Sequence, residues 1–179
     1  RINHLIGQGV NPQRILAITF TRKASHEMKD RTKNDDVHIH TFHQFCYLKL
    51  SEMKKRPIEI VDEELLPFTK AELLEISKYK NSIYSLPKPK CFTGYQNFMK
   101  VNDYKDFDDL LLDYFDMIKS KCYAPDFDYI FIDEFQDTNN LQYQVLKQLI
   151  HQNTYVLAVG DPDQSIYQYR GANSKIIYK

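Results

Sequence analysis

Tryptophan is absent from the 179 residues, and the formal net charge is zero. A neutral chain lacks the broad basic surface of a protein that coats polyanions, so any contact with nucleic acid must come from a local surface. No run of eighteen apolar residues occurs, and the first ten residues lack the features of a leader peptide. We therefore expect a soluble, cytoplasmic protein without a membrane partner.

Cysteine is also scarce. Cys46, Cys91 and Cys122 are far apart and show no CxxC spacing of the kind that binds zinc or forms a redox pair. We expect buried free thiols. The chain is instead rich in aromatic residues, with thirteen Tyr and eleven Phe. These residues could stack on bases or pack in the core, and composition alone favours the core.

Short apolar runs alternate with helical patterns along most of the chain. Strands are predicted at residues 15–20, 37–40, 129–132 and 155–159. Amphipathic helices are predicted between and after them, with Thr21 as the N-cap of the helix that follows the first strand. This alternation predicts an α/β fold with a parallel, doubly wound sheet covered by helices on both faces.

Residues 49–105 have a different character. Apolar strands are missing there, Lys and Glu interleave, and prolines separate short helical patterns. We expect an inserted helical subdomain over residues 49–105, while residues 1–48 and 106–179 together form the α/β domain. Asp106 is a plausible N-cap for the helix that resumes this domain.

An acidic pair follows the third predicted strand. Asp133 and Glu134 come directly after apolar residues, as in nucleoside triphosphatases where the first carboxylate serves magnesium and the second orients the attacking water. Alternatively, paired acids simply end a strand and cap the next helix. The apolar strand and the trailing Gln136, Asp137 and Thr138 favour the triphosphatase interpretation.

A second polar segment follows the fourth predicted strand. Gln164 comes shortly after Gly160, near the same edge of the sheet, where its amide could hydrogen-bond a terminal phosphate oxygen. Tyr167, Tyr169 and Arg170 follow and would suit stacking on unpaired bases and pairing with phosphate. A tyrosine-rich surface loop is the alternative for these three residues.

Two further segments join a strand to a helix. The first carries Thr19, Phe20, Thr21 and Lys23, which combine hydroxyls, a ring and a cation at a helix N-terminus that suits backbone phosphates. An ordinary N-cap followed by a solvated basic face explains this segment equally well. The second segment, Thr41, Phe42 and His43, follows the same logic with less charge, and we assign His43 no acid–base role.

Five segments in order resemble motifs of the UvrD/Rep/PcrA family of superfamily 1 DNA helicases. Residues 15–28 resemble motif Ia, and residues 40–46 resemble motif Ib. Residues 106–111 resemble the element after the family's helical insertion. Residues 132–139 resemble motif II, and residues 160–167 with 170–172 resemble motif III. The similarity spans nearly the whole chain.

The resemblance implies a RecA-like P-loop NTPase fold and ATP-dependent 3′ to 5′ movement on single-stranded DNA, with duplex-junction DNA as a further partner and a place in DNA repair. It implies ATP and Mg²⁺ as cofactors. Asp133 would bind the metal, Glu134 would activate water, and Gln164 would sense the γ-phosphate. The implied DNA-binding residues are Thr19, Phe20, Thr21, Lys23, Thr41, Phe42, His43, Tyr167, Tyr169 and Arg170. Arg22, Ser25 and Tyr169 depart from the family's usual Asn, Ala and Trp.

No GxxxxGK[ST] loop occurs in the sequence, so no glycine-rich backbone and lysine can hold the β- and γ-phosphates. We expect the chain to start just after such a loop, to lack the second motor domain, and to hydrolyse ATP negligibly by itself. Two alternatives stay open: a degenerate, non-enzymatic module that binds DNA or a partner, and the helicase half of a nuclease complex. The intact Asp133, Glu134 and Gln164 favour descent from a working enzyme.

Overall fold

The computed structural model describes residues 1–120 and 125–165, and this part of the chain forms one four-stranded, fully parallel sheet. The strands are β1 (Ile15–Thr19), β2 (His38–Thr41), β3 (Tyr129–Ile132) and β4 (Tyr155–Ala158). Their spatial order is β2-β1-β3-β4. The predicted α/β fold is confirmed, and each strand begins and ends within one residue of its predicted bounds.

Helices connect the strands and flank the sheet. They are α1 (Ile2–Gly7), α2 (Arg22–Thr32), α3 (Phe42–Lys54), α4 (Lys70–Asn81), α5 (Phe92–Val101), α6 (Phe107–Lys119) and α7 (Asn140–Leu149). Both predicted N-caps are confirmed: Thr21 accepts from the Ala24 N–H at 3.1 Å, and Asp106 accepts from the Asp109 N–H at 2.7 Å. Within the described ranges, no helix is long and apolar enough to span a bilayer.

Strand β1 is the centre of the core because side chains on both of its faces are buried. Leu16 and Ile18 face α3, α6 and α7 and pack in the larger apolar cluster. Ile15 and Ala17 face the other way and pack with residues of α1 and α2. This arrangement accounts for the almost wholly apolar sequence of β1, since a strand covered on both sides has no solvent face.

Strand β4 departs from the expectation of a sheet covered on both faces. It lies at the edge of the sheet, and Tyr155, Val156 and Leu157 are 68%, 43% and 42% exposed. In the described part of the chain, β4 hydrogen-bonds to β3 and to no further strand. The apolar pattern of residues 155–159 therefore predicts the strand correctly but not its burial.

The segment between α3 and α6 builds a cluster of its own. Phe92, Tyr95 and Met99 of α5 pack against Ile76 of α4, and Val61 completes one side. The thiol of Cys91, at the start of α5, is partly exposed, contrary to the expectation of burial, whereas the thiol of Cys46 is buried as expected. Cys122 lies outside the described residues.

The N-terminus of α6 carries a partly buried carboxylate, Asp108. Asp108 accepts a hydrogen bond from the Asn81 amide at 2.8 Å. Burial, and then the nearby charge of Asp106, raises the pKa of Asp108 to about 6. A carboxyl whose pKa is raised on folding favours the protonated native state. Its contribution to stability is complete below the unfolded pKa and is lost as the pH rises through 6.

We predict that Asp108→Asn raises the free energy of unfolding of the chain by about 1–3 kcal/mol at pH 8, because the amide is neutral at every pH. The gain should shrink steadily as the pH falls to 5, where Asp108 itself is protonated. Denaturant unfolding followed by circular dichroism at pH 5, 6, 7 and 8 measures this difference. The contributions of the other titrating groups to the free energy of unfolding are the same in both proteins and cancel in the difference.

Asp116→Asn is the matched control for this measurement, since Asp116 is exposed on the same helix. The difference in free energy of unfolding between Asp116→Asn and the wild type should not change between pH 5 and 8. If the difference in free energy of unfolding between Asp108→Asn and the wild type is equally independent of pH, the raised pKa of Asp108 is contradicted.

Candidate functional site

The carboxyl ends of β1, β3 and β4 lie side by side at one edge of the sheet. Ile18 pairs with Ile132, and Ile132 pairs with Ala158. The Asp133 N–H donates to the Ile18 carbonyl oxygen at 2.9 Å, which places the acidic pair beside the end of β1. Asp133 and Glu134 thus lie on the same rim as the residues that follow β4.

The backbone turns sharply at Glu134. This residue has φ +51°, in the left-handed region that a residue with a Cβ seldom adopts. A short 3₁₀ turn, Phe135–Asp137, follows, and the Phe135 N–H donates to the Val159 carbonyl oxygen at 2.9 Å. The turn leaves Glu134 exposed and Asp133 partly exposed. Strained backbone of this kind clusters at functional sites, where the surrounding structure holds it.

Gln136 connects the two sides of this rim, although only 1% of it is exposed. Its Nε2 donates to Glu134 Oε2 at 2.6 Å, and its Oε1 accepts from the Asp161 N–H at 3.0 Å. The amide therefore orients the Glu134 carboxylate and anchors the loop after β4. In the sequence Gln136 is recognisable only as a residue that flanks the acidic pair, and its position two residues after Glu134 is the signal for this contact.

Gly160 is required by the same contact. A Cβ at this position would lie 2.3 Å from Gln136 Oε1 and 3.0 Å from the Phe135 backbone nitrogen. Any side chain here would displace the Gln136 amide, because backbone on the other side leaves no space to move. The glycine after β4 is thus explained by a close approach rather than by a turn.

Gln164 lies at the end of a 3₁₀ turn, Pro162–Gln164, which Asp161 caps by accepting from the Asp163 N–H at 3.0 Å. Gln164 is exposed, and its Nε2 donates to Asp161 Oδ2 at 2.8 Å. The structure thus joins the acidic pair to Gln164 through Gln136 and Asp161. To bind a phosphate oxygen, the Gln164 amide would exchange its bond to Asp161 for one to the ligand.

The residues at this rim fit Mg²⁺ only as a nucleotide-bound ion. Among the described residues, no group of three or more His, Cys, Asp or Glu side chains could hold a metal ion. Mg²⁺ in nucleotide sites is characteristically held by one or two carboxylates, with phosphates and water as the other ligands. A single partly exposed carboxylate such as Asp133 matches that donor set.

A cavity of about 330 Å³ opens beside Asp133 on the side of the sheet that carries α1. Arg1 and Arg31 line it together with apolar residues of β3 and β4, including Leu157. Its volume is at the lower end of small-molecule sites. The cavity adjoins the acidic pair, and the two arginines are the cations in its wall.

The predicted DNA-binding residues differ in exposure. Thr21 and Lys23 are exposed, and Phe20 and His43 are partly exposed. The remaining described members are buried: Thr19, Thr41 and Phe42 are 0%, 8% and 5% exposed.

The buried members of this set have structural contacts. Thr19 Oγ1 donates to the Thr21 carbonyl oxygen at 3.1 Å, and Thr41 caps α3 by accepting from the Gln44 N–H at 3.3 Å. Phe42 packs in the larger apolar cluster. In this structure the solvent-facing members are therefore those at the start of α2, together with His43.

His43 has an aromatic neighbour, Phe107, which is not among the residues predicted from the sequence to bind DNA. The ring of Phe107 lies edge-on to the His43 ring, with centroids 5.6 Å apart, and Phe107 is 47% exposed. Burial lowers the pKa of His43 to about 4, so the imidazole is neutral at pH 7 and offers a hydrogen bond rather than a charge. The sequence signal for Phe107 is its position directly after the N-cap Asp106, in the first turn of α6, where a large apolar residue is often exposed.

Tyr167, Tyr169 and Arg170 lie outside the described residues. Their predicted contact with unpaired bases therefore stays a prediction from sequence.

Comparison with known proteins identifies the family. The model of the UvrD/REP helicase N-terminal domain matches residues 1–78 and 51–179. The "ATP-dependent DNA helicase PcrA" of Bacillus subtilis (strain 168) is 33% identical over 220 residues, which cover 97% of this chain and 30% of that protein. A "Probable DNA helicase II homolog" of Mycoplasma capricolum subsp. capricolum is 32% identical over 220 residues, with 95% of this chain and 30% of that protein covered.

A "Probable DNA helicase" of Mycoplasma pneumoniae is 30% identical over 223 residues, which cover 96% of this chain and 42% of that protein. The chain thus spans between 30% and 42% of the length of these curated relatives. The matched residues include the acidic pair at the end of β3 and the loop after β4. On these matches, together with the parallel α/β fold, the chain belongs to the UvrD/REP helicase N-terminal domain family.

Proposed function

We propose that this chain forms part of the first motor domain of an ATP-dependent DNA helicase, and that it carries the residues that act on the terminal phosphate. The observation that supports this most directly is the hydrogen-bonded series from Glu134 through Gln136 and Asp161 to Gln164. It joins a candidate water-activating carboxylate to a candidate phosphate sensor across two strands. A surface that only bound a partner would have no need of this linkage.

In this proposal, Glu134 accepts a proton from the attacking water and Gln164 binds an oxygen of the γ-phosphate. Gln136 holds Oε2 of Glu134, which limits the rotation of the carboxylate and keeps it aimed at the water. Loss of the γ-phosphate would free Gln164 to return to Asp161. The loop after β4 would then change its contacts with each ATP hydrolysed.

Asp133 is the proposed ligand of Mg²⁺. The bound ion would neutralise charge on the β- and γ-phosphates. The Asp133 backbone is fixed by its bond to Ile18, so the carboxylate has a defined position at the sheet edge.

We propose single-stranded DNA, next to a duplex junction, as the macromolecular partner, with movement in the 3′ to 5′ sense. Lys23 and Thr21 would contact backbone phosphates at the N-terminus of α2, where free N–H groups favour anions. Phe20 and Phe107 would stack on bases. Neutral His43 would support the Phe107 ring from its edge.

We further propose that residues 49–105 are an inserted helical subdomain of this motor domain. The separate apolar cluster built on α4 and α5 supports this division, and helix α3 (Phe42–Lys54) continues across residue 48 and joins the two parts. Residues 1–48 and 106–179 would together form the α/β part. The insertion separates these two stretches in the sequence, but they would fold as one unit.

Replacing the proposed base tests the enzymatic function. We predict that Glu134→Gln in the full-length protein encoded by this gene lowers the DNA-stimulated kcat for ATP by about 100-fold or more, the usual effect of losing a general base. Affinity for a fluorescent ATP analogue should change little, because the amide keeps the shape of the side chain. Glu75→Gln, at an exposed site on α4, is the matched control.

A full-length wild-type protein that binds single-stranded DNA but never hydrolyses ATP would refute the enzymatic proposal and favour a non-enzymatic binding module.

We predict that the 179-residue polypeptide by itself hydrolyses ATP at less than about a thousandth of the full-length rate, since arginines supplied by another domain contribute on the order of 10³–10⁵. The sequence also has no glycine-rich loop to hold the triphosphate. A steady-state assay with saturating single-stranded DNA measures this, with Glu134→Gln polypeptide as the blank. A rate within tenfold of the full-length protein would contradict the prediction.

If a base stacks on Phe107, removing the ring should weaken the binding of single-stranded DNA. Phe107→Ala in the full-length protein should weaken binding of single-stranded DNA by about 5- to 100-fold, the range for one stacked base. The loss should be the same at low and high salt, because no phosphate contact is removed. Fluorescence anisotropy with a labelled oligonucleotide measures both quantities.

Leu65→Ala removes an apolar side chain that is 70% exposed elsewhere on the surface and should leave the affinity unchanged. Equal affinities for Phe107→Ala and Leu65→Ala would rule out stacking at this position.

A further inference from the structure

The C-terminus of α4 inserts two polar residues between the N-termini of α6 and α7. Lys80 and Asn81 are 2% and 5% exposed. Buried polar groups of this kind are costly unless every donor and acceptor is used. Their partners therefore show what the two residues hold in place.

Lys80 joins α4 to α6. Its Nζ lies 2.8 Å from Asp106 Oδ2 and 2.7 Å from Asp109 Oδ1, and it donates to the Tyr95 hydroxyl at 3.2 Å. Asp106 and Asp109 also form the capping box of α6. Lys80 thus fixes the first turn of α6 against α4 and α5 and contributes to the packing of the helical segment on the α/β part.

Asn81 makes a different connection. Its Nδ2 donates to Asp108 Oδ1 at 2.8 Å and to the Ser77 carbonyl oxygen at 2.9 Å. Its Oδ1 accepts from Asn139 Nδ2 at 2.8 Å. Both ends of one amide are therefore used, and Asn81 links α4 and α6 to α7.

Asn139 is the N-cap of α7. Its Oδ1 accepts from the Gln142 N–H at 2.9 Å, and the Gln142 side chain accepts from the Asn139 N–H at 3.0 Å. The preceding residue, Thr138, is 2% exposed and ends the 3₁₀ turn that contains Gln136. Only Thr138 and Asn139 thus separate the turn that orients Glu134 from the first residue of α7.

We propose that Asn81 is a positioning residue for the ATPase site: through Asn139 it fixes the start of α7 and hence the turn 135–138, whose Gln136 orients the Glu134 carboxylate. This inference rests on the proposed function of Glu134. It makes the helical segment a determinant of the hydrolysis rate through a bond to Asn139 rather than through a bond to the acidic pair itself.

Lys80 bonds to the first turn of α6, whereas Asn81 also bonds to the N-cap of α7, so their effects can be separated by mutation. Lys80 holds α4 on α6, so loss of Asn81 leaves that packing in place. The bond between Asn81 and Asn139 is the one that reaches α7. Breaking it should loosen the turn after Glu134 and lower kcat while the KM for ATP stays nearly constant, because Asn81 and Asn139 are not part of the proposed nucleotide-binding set.

Asn139→Asp isolates this bond in the full-length protein. Aspartate caps a helix as well as asparagine does, so α7 keeps its cap, but an oxygen now faces Asn81 Oδ1 in place of the donor. Asn81→Ala breaks the same bond from the other side and also removes the bonds to Asp108 and Ser77, which stay within α4 and α6. Asn140→Asp, which adds the same charge one residue later, and Asn97→Ala, on the exposed face of α5, are the matched controls.

We expect Asn81→Ala and Asn139→Asp each to lower the DNA-stimulated kcat about tenfold, the low end for residues that orient a catalytic group, with KM for ATP changed less than twofold. The double variant should lose about tenfold as well, rather than a hundredfold, because both changes break the bond between Asn81 and Asn139. Amide hydrogen exchange at residues 135–138 should become faster in all three proteins. Both controls should match the wild type.

A wild-type kcat in Asn139→Asp, or a double variant whose loss is the product of the single losses, would overturn the role of Asn81. Absence of DNA-stimulated hydrolysis in the wild-type protein would instead overturn the proposed function. In that case the exchange measurement decides alone: unchanged exchange at residues 135–138 in both single variants shows that Asn81 does not hold the turn.

Discussion

The buried amide of Gln136 is the contact on which the arrangement at the sheet edge depends. It holds a carboxylate oxygen of Glu134 on one side and the Asp161 N–H on the other. An amide can do this because it carries a donor and an acceptor at opposite ends. Because the Gln136 side chain is buried, leaving its own donor or acceptor unpaired would cost roughly 1–3 kcal/mol.

The close packing around this amide propagates to the neighbouring backbone. Position 160 requires glycine because Gln136 Oε1 occupies the space that a Cβ would need. Glu134 keeps its left-handed backbone because the turn that follows is anchored to the Val159 carbonyl oxygen. Two strands separated by about 25 residues are thereby fixed relative to each other at their carboxyl ends, where parallel sheets bind ligands.

The helical segment is attached by charge as well as by apolar packing. Lys80 is almost fully buried, and the two aspartates around it raise its pKa against the effect of burial, which lowers it. A buried ion pair is weak evidence for stability, but breaking one partner is strongly destabilising. The segment is therefore held in one defined position, and Asn81 extends that constraint to the helix behind the candidate active site.

The sequence by itself determined the strands, the N-caps and the acidic pair, because burial on both faces, capping chemistry and the position after a strand are local patterns. It did not determine the exposure of β4 or the burial of Thr19, Thr41 and Phe42, which depend on what packs against each residue. Nor could it find the contacts that Gln136, Asn81 and Phe107 make. Only the tertiary structure brought these side chains to partners that are distant in sequence, because a hydrogen bond or ring contact depends on position in space and leaves no periodic pattern in the chain.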